Sequence, residues 1–499
     1  MNRTERLNEF NKWKERLAAY RLAMNVLEID LIAGAPKEGA YYRASKTAVL
    51  MGEYLNTLRD EKMYEIITDL LREERLNGMV RRELELYHEE LTKDRSVPID
   101  LYVYFEEILT RSKVEWLRAK AEDDFKGYAS CLKDVIDCYR GMISLKDSPL
   151  GIYDRMLDNH QKGWTSYKYD EFFGHVRERI IPLMEEILTS GKPSKDIFKG
   201  DYSIDGQRRV MAKVCDMIGF DSSWGRMTES EHPVTSFISI GDVRFTTKYI
   251  PDDPVRAILS TVHESGHAWF GHNVDKAYEG SIIATSISAG LHESQSRLCE
   301  NHLGRSLAFW EVVFPWLRDE YPHKFSGVTL PEFYRTVNAV RPSLIRTEAD
   351  EVTYPLHILI RYELERDLME GDLKVADLET AWNDKYRDYL GLVPEKASEG
   401  VLQDMHWPYA YFGYFPTYAL GSAMAAQFFA VMCVENDVDG LIRDGRYTEL
   451  MKWLGKKYQH YGNRYSAEDV LMGATSEAFN DEYYFKWLEN KYRLLYGLL

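Results

Sequence analysis

Along most of this chain, apolar residues recur every three or four positions. In ERLNEFNKWKERLAAYRLAMNVLEIDLI, residues Leu7, Phe10, Trp13, Leu17, Tyr20 and Met24 form one stripe, the mark of a helix with a single buried face. MYEIITDLLREERL, VPIDLYVYFEEILTRSKVEWLRAKAEDDF and residues 169–187 repeat the pattern. Gly151, Gly191 with Pro193, Gly241, Gly304 and Gly391 punctuate it, as helix-breaking residues do. No linker-like, low-complexity or repeated stretch marks a clean boundary. The pattern predicts a mainly α protein, poor in candidate chemistry in its N-terminal half and rich in it in its C-terminal half.

One segment departs from the helical period. In GDVRFTTKYI, Val243, Phe245, Thr247 and Tyr249 alternate with Asp242, Arg244, Thr246 and Lys248. Strict alternation predicts a half-buried strand, and FISIGDV before it reads as a strand and a turn. The expectation is a small β-ribbon whose polar face carries Asp242, Arg244 and Thr246. The most apolar long stretch, Tyr418–Val434, is shorter than a typical membrane span and contains Gln427. It reads as a buried core helix, with no membrane partner.

Composition changes the picture only by exclusion. Hydrophobic residues make up 45% of the 499 and charged residues 29%, an ordinary globular balance. The net charge of −17 leaves no basic stripe to neutralise phosphates, which argues against nucleic acid as a partner. The five cysteines form no CxxC pair, and the first residues, MNRTERLNEFNKWKERL, lack the apolar run of a secretory signal. Together these predict a cytoplasmic protein.

Candidate chemistry centres on HESGH, His263 to His267. HExxH matches also arise by chance, so context decides. Asp253 can cap a helix whose first turn holds Pro254, and Val255, Ile258, Leu259, Val262 and Gly266 trace its core face. His263 and His267 then share one side of the helix and can hold one metal ion. Glu264 lies about 100° round the axis, within reach of a water molecule at that ion without ligating it. A catalytic zinc needs a third protein ligand. In SISAGLHESQSRLCENHLG, Ser288 can cap a second helix that ends near Gly304, and Glu293 in its first turns can supply that ligand. His272 and His292 read as surface or supporting residues. Two histidines with a glutamate suit zinc, and cobalt accepts the same donors.

Peptide hydrolysis at such a centre also needs a base and donors for the developing oxyanion. Glu264 fits the base. GVLQDMHWPYAYFGYFPTYALG packs Gln403, Asp404, His406, Tyr411, Tyr414 and Tyr418 into sixteen residues, and buried hydroxyls require partners. An arginine can hold a substrate carboxylate bidentately. Arg346, at the start of a helix-like run, and Arg244 on the ribbon both qualify, and spacing does not choose between them.

Taken together, EHPVTSF, DVRFT, HESGH, GLHESQSRL, IRTEAD and GVLQDMHW, followed by FGYFPTYALG, resemble the carboxypeptidase Taq family of metallocarboxypeptidases. The motifs stand in the family's order, and the resemblance is dense from about Met211 onward. It implies a helical, cleft-containing zinc-peptidase fold with the β-ribbon beside the active site. It implies one peptidase unit over 1–499, with residues 1–200 roofing the groove and 201–499 carrying the metal site, often as a homodimer. It implies stepwise removal of C-terminal residues from peptides with a free C-terminus, with broad preference. By similarity, zinc or cobalt would be held by His263, His267 and Glu293, with Glu264 as base. His406 and Tyr418 would stand opposite the metal and Arg346 would anchor the carboxylate. Asp242 and Arg244 would line the groove, and Gln403 and Tyr411 would contact substrate. Val234 stands where the family motif has Phe, and Tyr409 and Tyr411 stand where small residues or histidine are usual; these departures bear on specificity. Competing readings are an endopeptidase or dipeptidyl carboxypeptidase on the same core, and a metal-stabilised peptide-binding protein, which would have no use for Glu264.

Overall fold

Four helices open the chain: α1 (Arg3–Ala33), α2 (Ala40–Leu58), α3 (Glu61–Leu71) and α4 (Gly78–Thr92). The computed structural model describes residues 1–498 except Asp94, 191–196, Lys199 and Ser286, with backbone only at Lys37, Ala40 and Tyr41. The break expected at Gly191 and Pro193 lies outside the described residues. Asn2 and Glu5 form a capping box on α1, and Asp60 and Asn77 cap α3 and α4, each satisfying orphan N–H groups. The α1 stripe lands inside. Phe10, Trp13 and Leu17 pack with Ile67, Leu84 and Tyr87 in a core of their own, and Tyr20 is half-buried.

Helices α5 (Ile99–Glu122), α6 (Phe125–Ser144), α7 (Ile152–His160), α8 (Ser166–Thr189) and α9 (Ile204–Ile218) follow. They join a second, larger core that runs from Val97 to Tyr496. The two larger apolar cores therefore divide between α4 and α5. Across that division a small apolar cluster joins Leu86 of α4 to Ile240, Val274, Tyr278, Ile283 and Ala284, and polar contacts add to it. The Asn25 amide donates to the Phe237 carbonyl (2.9 Å), Arg82 to the Asn463 carbonyl (3.0 Å) and the Ser281 hydroxyl to Glu83 (2.6 Å).

The expected ribbon is a three-stranded mixed sheet. Strands β1 (Gly225–Glu229), β2 (Thr235–Ser239) and β3 (Asp242–Thr247) lie in the order β1-β3-β2. β2 pairs antiparallel with β3, and β1 pairs parallel. GRMTE carries no clean alternation, and its parallel partner comes after a hairpin, so local pattern could not find it. Thr246 belongs to the core rather than to an open polar face: it is fully buried, and its hydroxyl oxygen accepts from Ser230 Oγ (2.6 Å) and Val234 N (3.1 Å).

The remaining helices are α10 (Pro254–Asn273), α11 (Ala289–Arg297), α12 (Leu307–Glu320), α13 (Leu330–Val337), α14 (Tyr354–Glu370), α15 (Leu378–Leu390), α16 (Pro416–Glu435), α17 (Val438–Arg443), α18 (Tyr447–Lys457), α19 (Ala467–Thr475) and α20 (Glu482–Tyr496). After α11 the chain continues as a π-helical segment, Leu298–Gly304, which ends at the expected glycine. The helix expected from Arg346 starts eight residues later. Arg346–Glu348 is a 3-10 turn, and the Asp350 carboxylate accepts from the N–H groups of Val352 and Thr353 before Pro355 opens α14. α16 is long and apolar enough to cross a membrane by composition, but most of it is buried inside the fold, as the core-helix reading requires.

Candidate metal centre and active site

Three closely packed helices build the centre. The Asp253 carboxylate accepts from the N–H groups of Val255 and Arg256 and starts α10, which carries His263, Glu264 and His267. The Ser288 hydroxyl accepts from Leu291 N and starts α11, with Glu293 in its second turn. Glycines let the helices touch. A Cβ on Gly266 would lie 2.5 Å from the Gln295 carbonyl oxygen, and one on Gly421 of α16 would lie 2.8 Å from the Glu293 Cβ and Cγ. α11 is thus clasped between α10 and α16, and this clasp delivers the Glu293 carboxylate to the histidine pair.

Glu293 Oε2 lies 3.9 Å from His263 Nε2 and 3.6 Å from His267 Nε2, and the three donor atoms fall within 4.8 Å of one another. Ligands about 2.0–2.1 Å from a tetrahedral zinc stand about 3.4 Å apart, so the set fits a divalent ion with little closure. Two imidazoles and a carboxylate are borderline donors of the kind zinc and its neighbours accept.

A ring of charge holds these three side chains. His263 Nδ1 lies 2.9 Å from Glu300 Oε2, the carboxylate–histidine arrangement that fixes a ligand's tautomer. Arg297 Nε donates to Glu293 Oε1 at 2.6 Å, Arg297 Nη1 to Glu300 at 3.3 Å, and Arg305 to the other Glu300 oxygen at 3.2 Å. Burial pushes both carboxyls up, yet Arg297 and the histidines outweigh it at Glu293, and His263 with Arg297 and Arg305 outweighs it at Glu300; both sit well below the usual range. Burial pulls the His263 imidazole down, but Glu293 and Glu300 leave it raised.

Glu264 is buried beside the pair, and Thr235 of β2 meets it: the Thr235 hydroxyl donates to Glu264 Oε2 at 2.5 Å. His292 stacks on His267 with ring centroids 4.2 Å apart, and burial with His267 holds it well below its ordinary value. His272 turns away, placing Nδ1 3.0 Å from the Ile240 carbonyl and stacking on Trp224.

The facing wall comes from the 3-10 turn at Arg346 and the chain from Gln403 to Tyr418. His406 Nε2 and the Tyr418 hydroxyl are 3.2 Å apart. Burial, then Arg346, lowers His406 to about 3, and burial holds the Tyr418 hydroxyl protonated well above its usual value. Arg346 stands 5.3 Å from the Tyr418 ring, and its Nε and Nη2 donate to Asp404 Oδ1 at 3.0 and 2.9 Å. Its Nη1 donates to the Tyr354 hydroxyl, and the Tyr354 ring carries Arg297 4.2 Å from its centroid. Tyr354 therefore joins the arginine behind Glu293 to the arginine of the far wall.

Three expected substrate contacts are engaged with other groups of the protein. The Gln403 amide is spent inside the fold: its Oε1 accepts from Arg361 Nη2 and Arg346 N, and its Nε2 donates to the Leu344 and Glu399 carbonyls. Gln403 thereby braces Arg346. Asp242 and Arg244 form a bidentate pair (2.8 and 2.6 Å) on the face of the sheet opposite α10. Val243 and Thr247 face that helix instead: Val243 lies against Gly271, and Thr247 bonds Thr261 and the Ala257 carbonyl. Arg244 lines a small cavity of about 250 Å³ with Arg226, Thr228 and Asp30 of α1. Tyr411 is 48% exposed, with its ring 6.5 Å from His406, and is open to a ligand. Sequence reasoning gave no role to Thr235, Arg297, Glu300 or Tyr354. Arg297 and Glu300 follow Glu293 at four and seven residues, a one-face spacing that was available.

A helical cleft protein with a HExxH pair and a distal glutamate defines a metallopeptidase of the two-histidine, one-glutamate class. The family model for the carboxypeptidase Taq (M32) metallopeptidases matches residues 9–492. The chain is 35% identical to carboxypeptidase 1 of Bacillus subtilis (strain 168) over 98% of both chains. It is 34% identical to thermostable carboxypeptidase 1 of Thermus thermophilus over 97% of this chain and 98% of the relative. The crystal structure of the M32 carboxypeptidase from Deinococcus radiodurans R1 superimposes with a TM-score of 0.95 at 30% identity, covering 99% of this chain and 100% of that one. The protein belongs to the carboxypeptidase Taq family and is a metallocarboxypeptidase.

Proposed function

We propose that this enzyme releases single C-terminal amino acids, with broad preference, from peptides bearing a free C-terminus. We propose further that it acts in the cytoplasm as a homodimer; its five unpaired cysteines accord with a reducing compartment. The observation that carries the reading is Arg346, a buried cation in contact with Tyr418 and Tyr354 across from the ligand cluster. A terminal carboxylate paired there would set one residue between the chain end and the reacting carbonyl.

His263, His267 and Glu293 would hold a divalent ion, zinc or cobalt, which would supply a Lewis acid for the carbonyl and acidify water. Glu264 takes the proton from that water and returns it to the leaving amine, and Thr235 holds the carboxylate in place. His406 and Tyr418 direct their polar atoms at the developing oxyanion; His406 does so as a neutral imidazole, since its own titration falls near pH 3. β2 is an edge strand. The bond from Thr246 N to the Val234 carbonyl sets the register so that Thr235 turns its N–H and C=O outward, free to pair with a substrate backbone.

The test uses matched peptides, one with a free C-terminus and one amidated, read by mass spectrometry. Stepwise single-residue loss from the free peptide alone, reduced at least a thousandfold in metal-loaded Glu264→Gln, is expected. Dipeptide release or internal cuts in both peptides would overturn the Arg346 anchor, and absence of turnover by the metal-loaded wild type would favour a peptide-binding role.

A further inference from the structure

Glu365 of α14 is fully buried and takes no part in the chemistry described above. Three donors converge on it. The Tyr153 hydroxyl of α7 donates to Oε1 (3.0 Å), the Gly413 N–H donates to the same oxygen (2.5 Å), and the Trp407 indole N–H donates to Oε2 (2.7 Å). Trp407 and Gly413 are the two ends of the turn that follows His406.

That turn is held in a costly conformation. Ala410 has φ 58° and Gly413 φ 82°, both in the left-handed region that non-glycine residues rarely adopt. A Cβ on Gly413 would lie 2.6 Å from the backbone of Met156, so the turn is pressed against α7. Tyr411 N donates back to the His406 carbonyl at 2.8 Å. The His406 ring packs 4.1 Å from Phe415 just beyond the turn and meets the Tyr411 ring. A turn of this kind persists only where its surroundings over-determine it. The buried carboxylate is what ties both of its ends to the scaffold.

We propose that Glu365 is a positioning residue for the reaction: its carboxylate pins both ends of the 407–413 turn and so sets where His406 and Tyr411 stand. The inference rests on the reading of His406 as an oxyanion donor. The chemistry requires a carboxylate. All three partners approach as donors, and only an acceptor-only group with two oxygens satisfies them together. Glutamine would turn its NH₂ toward either the indole N–H or the pair at Oε1, leaving donor against donor in a dry site. Burial pushes the Glu365 carboxyl up to about 7, and the three donors draw it back from a higher value, so the acceptor-only form that they need prevails above that pH.

The experiment compares wild type, Glu365→Gln, Trp407→Phe and His406→Ala as full-length, metal-loaded enzymes. Glu365→Gln is expected to lower kcat about tenfold, with KM within twofold and metal content unchanged. In ¹⁵N-glycine-labelled protein the Gly413 amide is expected to move upfield as it loses its carboxylate. Trp407→Phe, a milder change that removes one donor and keeps a ring, is expected to lower kcat about threefold with KM again unmoved, and it decides the matter if the glutamine variant does not fold. In the His406→Ala background Glu365→Gln is expected to add less than twofold. An unchanged kcat, an unmoved Gly413 amide, or a full tenfold loss on top of His406→Ala would overturn the positioning role and leave the His406 reading standing. A harmless His406→Ala would overturn that reading and this inference with it.

Discussion

Thr235 and Glu264 show how much rests on one hydroxyl. The Glu264 carboxylate is buried, and as the proposed base it exchanges a proton with water, so its orientation decides whether the exchange occurs. Thr235 Oγ1 donates to Glu264 Oε2 at 2.5 Å, and hydrogen bonds to charged groups contribute about 1.5–3 kcal/mol. Thr235→Val keeps the shape and removes the donor. The expected outcome is a tenfold or greater fall in kcat with metal content unchanged, while Thr235→Ser stays within about threefold of wild type. Steady-state kinetics beside metal analysis checks it, and a wild-type kcat in the valine variant would remove Thr235 from the machinery. HPVTSF holds this residue in plain view, but nothing local marks the threonine rather than the serine beside it. The choice comes from the pleat: Thr235 and Phe237 face α10, and Ser236 faces away.

At the scale of elements the decisive feature is the clasp of α11 by α10 and α16. Small residues at the crossings set the helix separations, and those separations set the distance from Glu293 to the histidines. Gly421→Ala places a methyl 2.8 Å from the Glu293 side chain. Overpacking of this kind costs about 1–3 kcal/mol, and here the strain falls on a member of the candidate metal cluster. The expected outcome is a lower melting temperature and metal loss at chelator concentrations the wild type withstands, measured by calorimetry and chelator competition. A variant that holds metal as the wild type does would show that the helices separate without moving Glu293. The capping of α10 by Asp253 and of α11 by Ser288 was readable from residue types, because a cap is a local bargain between one side chain and two N–H groups. The later start of α14 was not, because Asp350 builds a turn where the apolar period by itself would extend the helix.

For the whole molecule, burial and charge combine into a pH response. His160, His302 and His406 are pushed down to about 4, 3 and 3, chiefly by burial, with Lys93 adding at His160 and Arg346 at His406. Below pH 6.5 the unfolded chain takes up protons at these positions and the folded chain refuses them, so stability falls as pH drops toward 4. Each group contributes up to about 1.4 kcal/mol per pH unit, or about 6 kcal/mol for the three between pH 6.5 and 5. That is comparable with a typical margin of 5–15 kcal/mol. Glu365 opposes them: its raised carboxyl keeps a proton the unfolded chain has lost, so its share favours the fold as pH falls from 7 toward 4.5, and the raised imidazoles of His175 and His263 act in the same direction. With Glu365 offsetting about 2 kcal/mol of this, the expected net effect is a fall of about 4 °C in Tm between pH 7 and 5 for a chain of this length. A Tm that holds constant across that range would mean these imidazoles are not buried neutral.

The sequence by itself determined the mainly α fold, the helix that carries His263, Glu264 and His267, the cap that starts α11, and the burial of α16. These follow from periodicity, capping chemistry and composition, which act over a few residues and leave a local trace. Only the tertiary structure decided the rest. It brought a parallel β1 to β3 and put the core division between α4 and α5. It turned Asp242 and Arg244 to the face away from α10, spent the Gln403 amide on two arginines, and gathered Thr235, Glu300 and Tyr354 around the ligands. Each of those outcomes depends on which groups meet across tens or hundreds of residues. A charged or amide side chain has the same local signature whether it meets substrate or braces another arginine, and the partner that decides comes from elsewhere in the chain.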